Sequence, residues 1–362
     1  MDFTSIADVE RAAAAVLPSA VRDFVAGGAG RETTLDANRA ALDRVFVVPR
    51  VLRDVSTCDT GSTLLGCPVA QPVAVAPVAY QRLLHPDGET ATARAAADAG
   101  VPFVASTLSS VPIEQIAAVG GTVWFQVYWL RDTAAVLDLV RRAEDAGCRA
   151  VVVTVDVPWM GRRLRDLRNG FALPAEVRAA NLDTSDTAHR KRSGASAVAA
   201  HTSQTFSPAL TWASIAALRE HTRLPVVLKG VLAAEDARRA AGSGVDAVVV
   251  SNHGGRQLDG AVPSADVLAE VVAAVDGRCE VLLDSGIRGG IDVLRALALG
   301  AAGVLAGRPM MWGLAAGGTD GARQVLDLFA AELRDAMGLA GCGTVAEARR
   351  LRTVRSAGTA SG

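Results

Sequence analysis

The chain has 362 residues, half of them hydrophobic, with 37 lysines and arginines against 38 aspartates and glutamates and a formal net charge of −1. That size excludes a stapled miniprotein, since α/β barrels use about 250 residues as one unit. A charge near zero gives no electrostatic reason for a nucleic-acid or acidic-membrane partner, and no apolar run approaches the roughly 18 residues of a membrane span.

Met1-Asp2-Phe3-Thr4 opens the chain with an acid, and no apolar signal region follows. Five cysteines (Cys58, Cys67, Cys148, Cys279 and Cys342) are widely spaced without a CxxC pair. These features predict a cytoplasmic protein with neither a disulfide framework nor a structural zinc site.

Residues 1–62 read as helices followed by a turn-rich connection. From residue 73 a single pattern repeats, a β-branched run and then an alanine-rich stretch with helical spacing. The runs are 73–78, 101–106, 123–128, 150–156, 225–229, 247–251, 280–284 and 303–307. Helices are expected at 88–99, 113–119, 132–146, 212–221, 233–241, 264–275, 290–299 and 321–337. Continuous apolar strands alternating with amphipathic helices indicate a covered parallel sheet, and eight such units predict a closed (β/α)8 barrel over 63–340 of a single domain. An open doubly wound sheet is the structural alternative, but it usually needs fewer units.

Residues 157–210 break the rhythm, standing between the fourth strand and its helix where a few residues normally suffice. Within them 181–204 is polar and aperiodic, and is expected to be part lid and part disordered. The basic run His189-Arg190-Lys191-Arg192 lies there and reads as a solvated loop.

The C-terminal strand ends of a parallel barrel converge on one mouth. The polar residues ending these runs therefore become neighbours: Ser106, Gln126, Tyr128, Thr154, Asp156, Lys229, Ser251, His253, Asp284, Gly307 and Arg308. Lys229 emerges from an apolar strand, so it is either half of a buried ion pair or a cation facing an anionic ligand. His253 stands past a strand end beside two glycines, with Arg256 three residues on, able to hold a carboxylate in a two-pronged way. His85, His189, His201 and His221 lack such surroundings. The turns Asp284-Ser285-Gly286-Ile287-Arg288-Gly289-Gly290 and Gly307-Arg308-Pro309 occupy the common phosphate position of barrels, after strands seven and eight. No GxGxxG follows the first strand, which disfavours a nicotinamide dinucleotide.

The segment Ser251-Asn252-His253-Gly254-Gly255-Arg256-Gln257-Leu258-Asp259 resembles the signature of the FMN-dependent 2-hydroxy-acid oxidases and dehydrogenases, the glycolate oxidase and mandelate dehydrogenase group. Ala76-Pro77-Val78-Ala79, His85-Pro86-Asp87-Gly88-Glu89, Gln126-Val127-Tyr128, Thr154-Val155-Asp156, Gly161-Arg162-Arg163-Leu164-Arg165-Asp166 and Lys229-Gly230-Val231 match in order around it. The resemblance spans nearly the whole chain. It implies FMN at the mouth, with Pro77, Val78 and Ala79 against the ring and Ser106, Gln126, Tyr128 and Thr154 at its polar edge. Lys229 would face the region of the ring that gathers negative charge, and Ser251 the ring or ribityl chain. Asp284, Ser285, Gly286, Arg288, Gly307 and Arg308 would hold ribityl and phosphate.

For a small-molecule 2-hydroxy acid the resemblance implies His253 as general base, Asp156 as its orienting acid, Arg163 and Arg256 on the carboxylate, and Tyr128 on the hydroxyl. Whether His253 takes the C2 proton or the hydroxyl proton stays open. Two positions depart from the family pattern: Phe24 stands where a tyrosine is usual, and Leu108 where glycolate enzymes carry tryptophan. Both enlarge or de-polarise the substrate side, with Met160 and Tyr80 as further wall, and predict an aryl acid, mandelate or 4-hydroxymandelate. A polar 157–210 insertion and Ala79 favour an oxidase that passes electrons to molecular oxygen and forms hydrogen peroxide. A homo-oligomer, a tetramer in relatives, is implied. The competing readings are a dehydrogenase or monooxygenase of the same family, a Schiff-base lyase using Lys229, and a non-catalytic ligand-binding barrel.

Overall fold

The computed structural model describes residues 3–182, 202 and 204–356. The disorder expected within 181–204, the basic run at 189–192, and His189 and His201 therefore fall wholly or mostly outside the described residues.

Three helices precede the barrel, α1 (Ile6–Val16), α2 (Ser19–Ala26) and α3 (Thr33–Asp43). Ser5 starts α1 by accepting from the Asp8 N–H, as an N-cap serine does. A short strand β1 (Val45–Val47) and a hairpin of β2 (Ser62–Leu64) and β3 (Cys67–Val69) follow. The eight expected runs then appear as β4 (Val73–Val75), β5 (Phe103–Ser106), β6 (Val123–Val127), β7 (Val151–Thr154), β8 (Val226–Val231), β9 (Ala247–Val250), β10 (Glu280–Leu283) and β11 (Gly303–Ala306). They close in parallel into a (β/α)8 barrel, β11 pairing back onto β4 through Val304 with Val73 and Ala306 with Val75.

The alternation of side chains along a strand divides the barrel into two cores. Val73, Val75, Phe103, Phe125, Val151, Val153, Leu228, Val248 and Leu283 pack outward against the helices. Ala74, Val104, Trp124, Val152, Val227, Val249, Leu282 and Leu305 fill the interior, closed from below by Leu64 and Val69 of the hairpin. The same period of two continues upward, so Ser106, Gln126, Thr154, Lys229, Ser251 and Asp284 form the next inward layer. All six are buried.

Besides β1, the β2–β3 hairpin and short helices at Leu164–Asn169 and Val345–Ala348, two elements differ from the sequence expectation. The last of the expected helices runs Arg308–Leu339, starting directly after β11 with Pro309 in its first turn, and is broken at Gly317 and Gly318. Proline at a first helical position is preorganised for helix, which moves the start 13 residues ahead of the expected Gly321. A final strand β12 (Thr353–Arg355) pairs antiparallel with β1. Three-residue strands carry no periodic signal, so this closure of the two chain ends shows only in space. Among the described residues no helix is long and apolar enough to cross a membrane.

Candidate active site

Above the polar layer lies an open cleft, with about 1100 Å³ of empty space that includes its solvent-filled mouth. Of the predicted site residues, Phe24, Pro77, Val78, Ala79, Leu108, Tyr128, Arg163, Lys229, His253, Arg256, Asp284, Ser285, Gly286, Arg288, Gly307 and Arg308 line it. Ser106, Gln126, Thr154, Ser251 and Asp156 stand behind that lining. Gln126 joins them laterally, its Oε1 accepting from Ser106 Oγ (3.1 Å) and its Nε2 donating to Thr154 Oγ1 (2.9 Å).

Lys229 Nζ lies 2.8 Å from Asp284 Oδ2 and donates to Ser251 Oγ at 2.9 Å. The buried ion pair is thus real, and the Lys229 side chain reaches the cleft as well. Burial opposes the charge, but Asp284 and Asp156 more than offset it and hold the ammonium above the usual lysine value. Gly230, the next residue, lets Asp156 pack closely against the strand. It sits in a bulge of β8 at φ +112°, where a Cβ would fall 2.6 Å from the Cβ of Asp156.

His253 Nδ1 lies 3.0 Å from Asp156 Oδ1. Burial keeps the imidazole below its ordinary value despite that carboxylate, so the neutral ring donates Nδ1–H to Asp156 and leaves Nε2 for a ligand. Burial pushes the Asp156 carboxyl up, yet His253 and Lys229 leave it below the usual range. The backbone of His253 is left-handed at φ +60°, strain held in place by Ser251 Oγ accepting its N–H at 3.0 Å. Tyr128 titrates at about 12, pushed up by burial and by the Asp156 charge, so its hydroxyl remains a donor.

Arg163, Arg256, Arg288 and Arg308 converge on the same cleft, and among the described residues no carboxylate lies within ion-pair distance of any of them. Burial and mutual repulsion depress the guanidiniums, Arg256 well below its normal value and Arg308 to about 9. Arg256 spends Nη1 on the Phe24 and Gly27 carbonyls (2.7 and 2.8 Å), and Arg308 donates to Val25, Gly27 and Gly254 carbonyls. Both therefore grip the C-terminal end of α2, whose partial negative charge suits cations. Phe24 stacks on Phe171 at 4.5 Å and lies under Arg256, ring centroid 5.3 Å from the guanidinium carbon. The apolar ring thus meets the cation by its face.

Several residues of the site have no role that the sequence alone predicts. Asn38 of α3 exchanges two amide hydrogen bonds with Asn252 (2.9 and 2.7 Å), fixing the start of the histidine turn. Asp166 stands near Arg163 and Arg256 as a buried acid, and its Oδ2, like Arg163 Nε, is buried without a hydrogen-bond partner among the described residues. Val157, Gln257, Phe206 and Met311 also line the cleft.

Comparison with known proteins agrees with this geometry. A family model described as FMN-dependent dehydrogenase matches residues 13–355. The chain is 65% identical over 353 residues to a 4-hydroxymandelate oxidase of Amycolatopsis orientalis, covering 98% of this chain and 99% of that protein. It is 48% identical over 326 residues to an L-lactate oxidase of a Nostoc species, covering 88% and 89%. A crystal structure of mandelate oxidase with (S)-4-hydroxymandelic acid superposes with a TM-score of 0.96 at 64% identity, covering 98% of this chain and 99% of that one. With the histidine turn, the polar strand-end layer and a match of this length, the chain belongs to the FMN-dependent dehydrogenase family.

Proposed function

We propose that this protein is an FMN-dependent oxidase of aryl 2-hydroxy acids, converting mandelate or 4-hydroxymandelate to the 2-keto acid with molecular oxygen as final acceptor. The observation that carries the reading is one cleft holding both a neutral, acid-backed imidazole and four guanidiniums short of counter-charge. That charge state fits two anions, a phosphate and a substrate carboxylate.

The residues fit FMN. Arg288 and Arg308 would hold the phosphate, beside the start of the Arg308–Leu339 helix, where the N-cap Gly307 brings no side chain. Ser285 and Gly286 adjoin them, and Asp284 suits the ribityl hydroxyls. Pro77, Val78 and Ala79 offer a flat apolar wall to the ring. Ser106, Gln126, Thr154 and Ser251, in the layer just behind the lining, would supply polar groups toward its edge, and Lys229 would supply a cation. When bound, FMN contributes the acceptor for the two electrons that leave the substrate carbon.

Arg163 and Arg256 bind the substrate carboxylate, each charge-assisted hydrogen bond worth roughly 1.5–3 kcal/mol. Tyr128, kept protonated, donates to the substrate oxygen as it becomes a carbonyl. His253 Nε2 takes the departing proton, and Asp156 stabilises the imidazolium so formed. Phe24 leaves the carboxylate without a tyrosine hydroxyl and, with Leu108, leaves an apolar space suited to an aryl group.

Anaerobic mixing of the FMN-loaded protein with (S)-mandelate tests the reading: the flavin absorbance bleaches and benzoylformate appears in equal amount. Readmitted oxygen restores the colour with hydrogen peroxide formed. Benzoate in place of benzoylformate indicates a monooxygenase, reoxidation lasting many minutes a dehydrogenase, and faster kcat/KM for glycolate than mandelate overturns the aryl assignment.

A further inference from the structure

The far end of the 157–210 insertion is built into the cleft wall. Arg131 N donates to Thr205 O at 3.0 Å, Ser207 N to Trp129 O at 2.8 Å, and Phe206 forms an antiparallel bridge with Leu130. This short ladder follows β6, whose extension carries Tyr128. It lays the Phe206 ring on the Tyr128 ring, centroids 4.4 Å apart and planes inclined by 23°. Phe206 is 5% exposed and lines the same cleft as Tyr80, Leu108 and Met160.

We infer that Phe206 determines specificity: from its place on the apolar wall, stacked on Tyr128, it selects 2-hydroxy acids with an aryl group on C2 over those with a methyl group. The inference rests on the reading of the cleft as a 2-hydroxy-acid site. There, three of the four substituents of C2 are already committed, the carboxylate to the guanidiniums, the hydroxyl to Tyr128 and the hydrogen to the reaction itself. Only the remaining substituent of C2 is free to meet apolar wall. A methyl group is too short to use much of that wall, whereas an aryl ring gains both burial and ring–ring contact. Because main-chain hydrogen bonds hold Phe206 in place, its ring is ordered before the substrate arrives, and binding costs it little entropy. The position is suited to substitution, since the hydrogen bonds of Thr205, Phe206 and Ser207 here are all main-chain, the Phe206 N–H donating to Thr202 O at 2.8 Å, and a new side chain leaves them in place.

The test uses the FMN-loaded protein and the variants Phe206→Leu and Phe206→Ala. Anaerobic flavin reduction by (S)-mandelate and (S)-lactate gives kcat/KM for each, and perturbation of the flavin spectrum gives Kd for phenylacetate, which lacks the reacting hydroxyl. In Phe206→Ala, kcat/KM for mandelate falls about tenfold or more, equivalent to about 1.4 kcal/mol, and the Kd of phenylacetate rises by a similar factor. Lactate changes by less than about threefold, and Phe206→Leu, which keeps most of the apolar volume and leaves a smaller void than alanine, lies between. Equal losses for both acids would mean that Phe206 only clamps Tyr128, and unchanged phenylacetate binding would mean that the ring does not meet the substrate; either result overturns the inference. If the unaltered enzyme itself prefers lactate to mandelate, the proposed function fails before any variant is compared.

Discussion

His253 and Asp156, 97 positions apart in sequence, meet at 3.0 Å through Nδ1 and Oδ1, tying the turn after the sixth barrel strand to the end of the fourth. That contact selects the tautomer and decides which nitrogen faces the cleft. Its carboxylate also raises the imidazole pKa against the depressing effect of burial.

Asp156→Asn is expected to lower kcat for mandelate by roughly 10²–10⁴, the span general-base catalysis contributes, while FMN stays bound. A base works when neutral, so kcat/KM in the unaltered enzyme rises with pH to a pKa below the ordinary imidazole value of about 6.5 and is then level through neutrality. Without the Asp156 charge that acid limb moves to still lower pH. A pH profile showing the limb displaced upward contradicts this account of the pair.

Four guanidiniums that repel one another predict an apoprotein hungry for anions. Inorganic phosphate or sulfate at about 100 times its Kd should add about 2.7 kcal/mol of stability, seen as a rise in Tm well beyond that given by chloride at equal ionic strength. Arg308→Met should remove most of the difference. Equal effects of sulfate and chloride would show that the cleft has no anion site.

The Lys229–Asp284 pair is enclosed, so breaking it leaves a lone charge in the interior. Lys229→Met should cost about 3–5 kcal/mol in urea unfolding of the apoprotein. Asp284→Asn should also be costly, and the double variant should lose less than the sum by about 0.5–3 kcal/mol. Strict additivity in this cycle would argue that the two side chains do not depend on each other.

Gly230→Ala puts a methyl group into the Asp156 side chain at a backbone angle that alanine resists. The expected result is a loss of roughly 1–3 kcal/mol in stability together with a larger loss of kcat, because the displaced residue is the one that orients His253. Unaltered turnover, checked at saturating mandelate, would separate the bulge from the chemistry.

Leu108→Trp refills the space that distinguishes this cleft. It should reduce kcat/KM for mandelate about tenfold or more while changing glycolate by less than about threefold, since overpacking costs about 1–3 kcal/mol only where the substituent competes for the volume. Parallel assays of both acids check it, and an equal fall for both counts against Leu108 as a size filter.

Much of the site was legible because its residues follow strand periodicity. Ser106, Gln126, Thr154, Lys229, Ser251 and Asp284 each terminate an apolar run, and alternation turns all six inward once the barrel closes. The histidine turn and the glycine-arginine turns were readable as local strings for the same reason, that their chemistry lies within a few adjacent residues. Lys229 left two readings open, and its distance to Asp284 decided in favour of a paired cation at the cleft.

What the chain's order of residues determined alone was local: where strands and helices begin, which faces of them are apolar, and which polar groups end at the mouth. Tertiary structure decided the partners. Asn38 with Asn252, Arg308 on the Val25 and Gly27 carbonyls, and Phe206 on Tyr128 unite segments separated by tens to hundreds of residues. Hydrophobic periodicity records only which side of an element is buried, and such pairings depend on which distant surface comes to cover it.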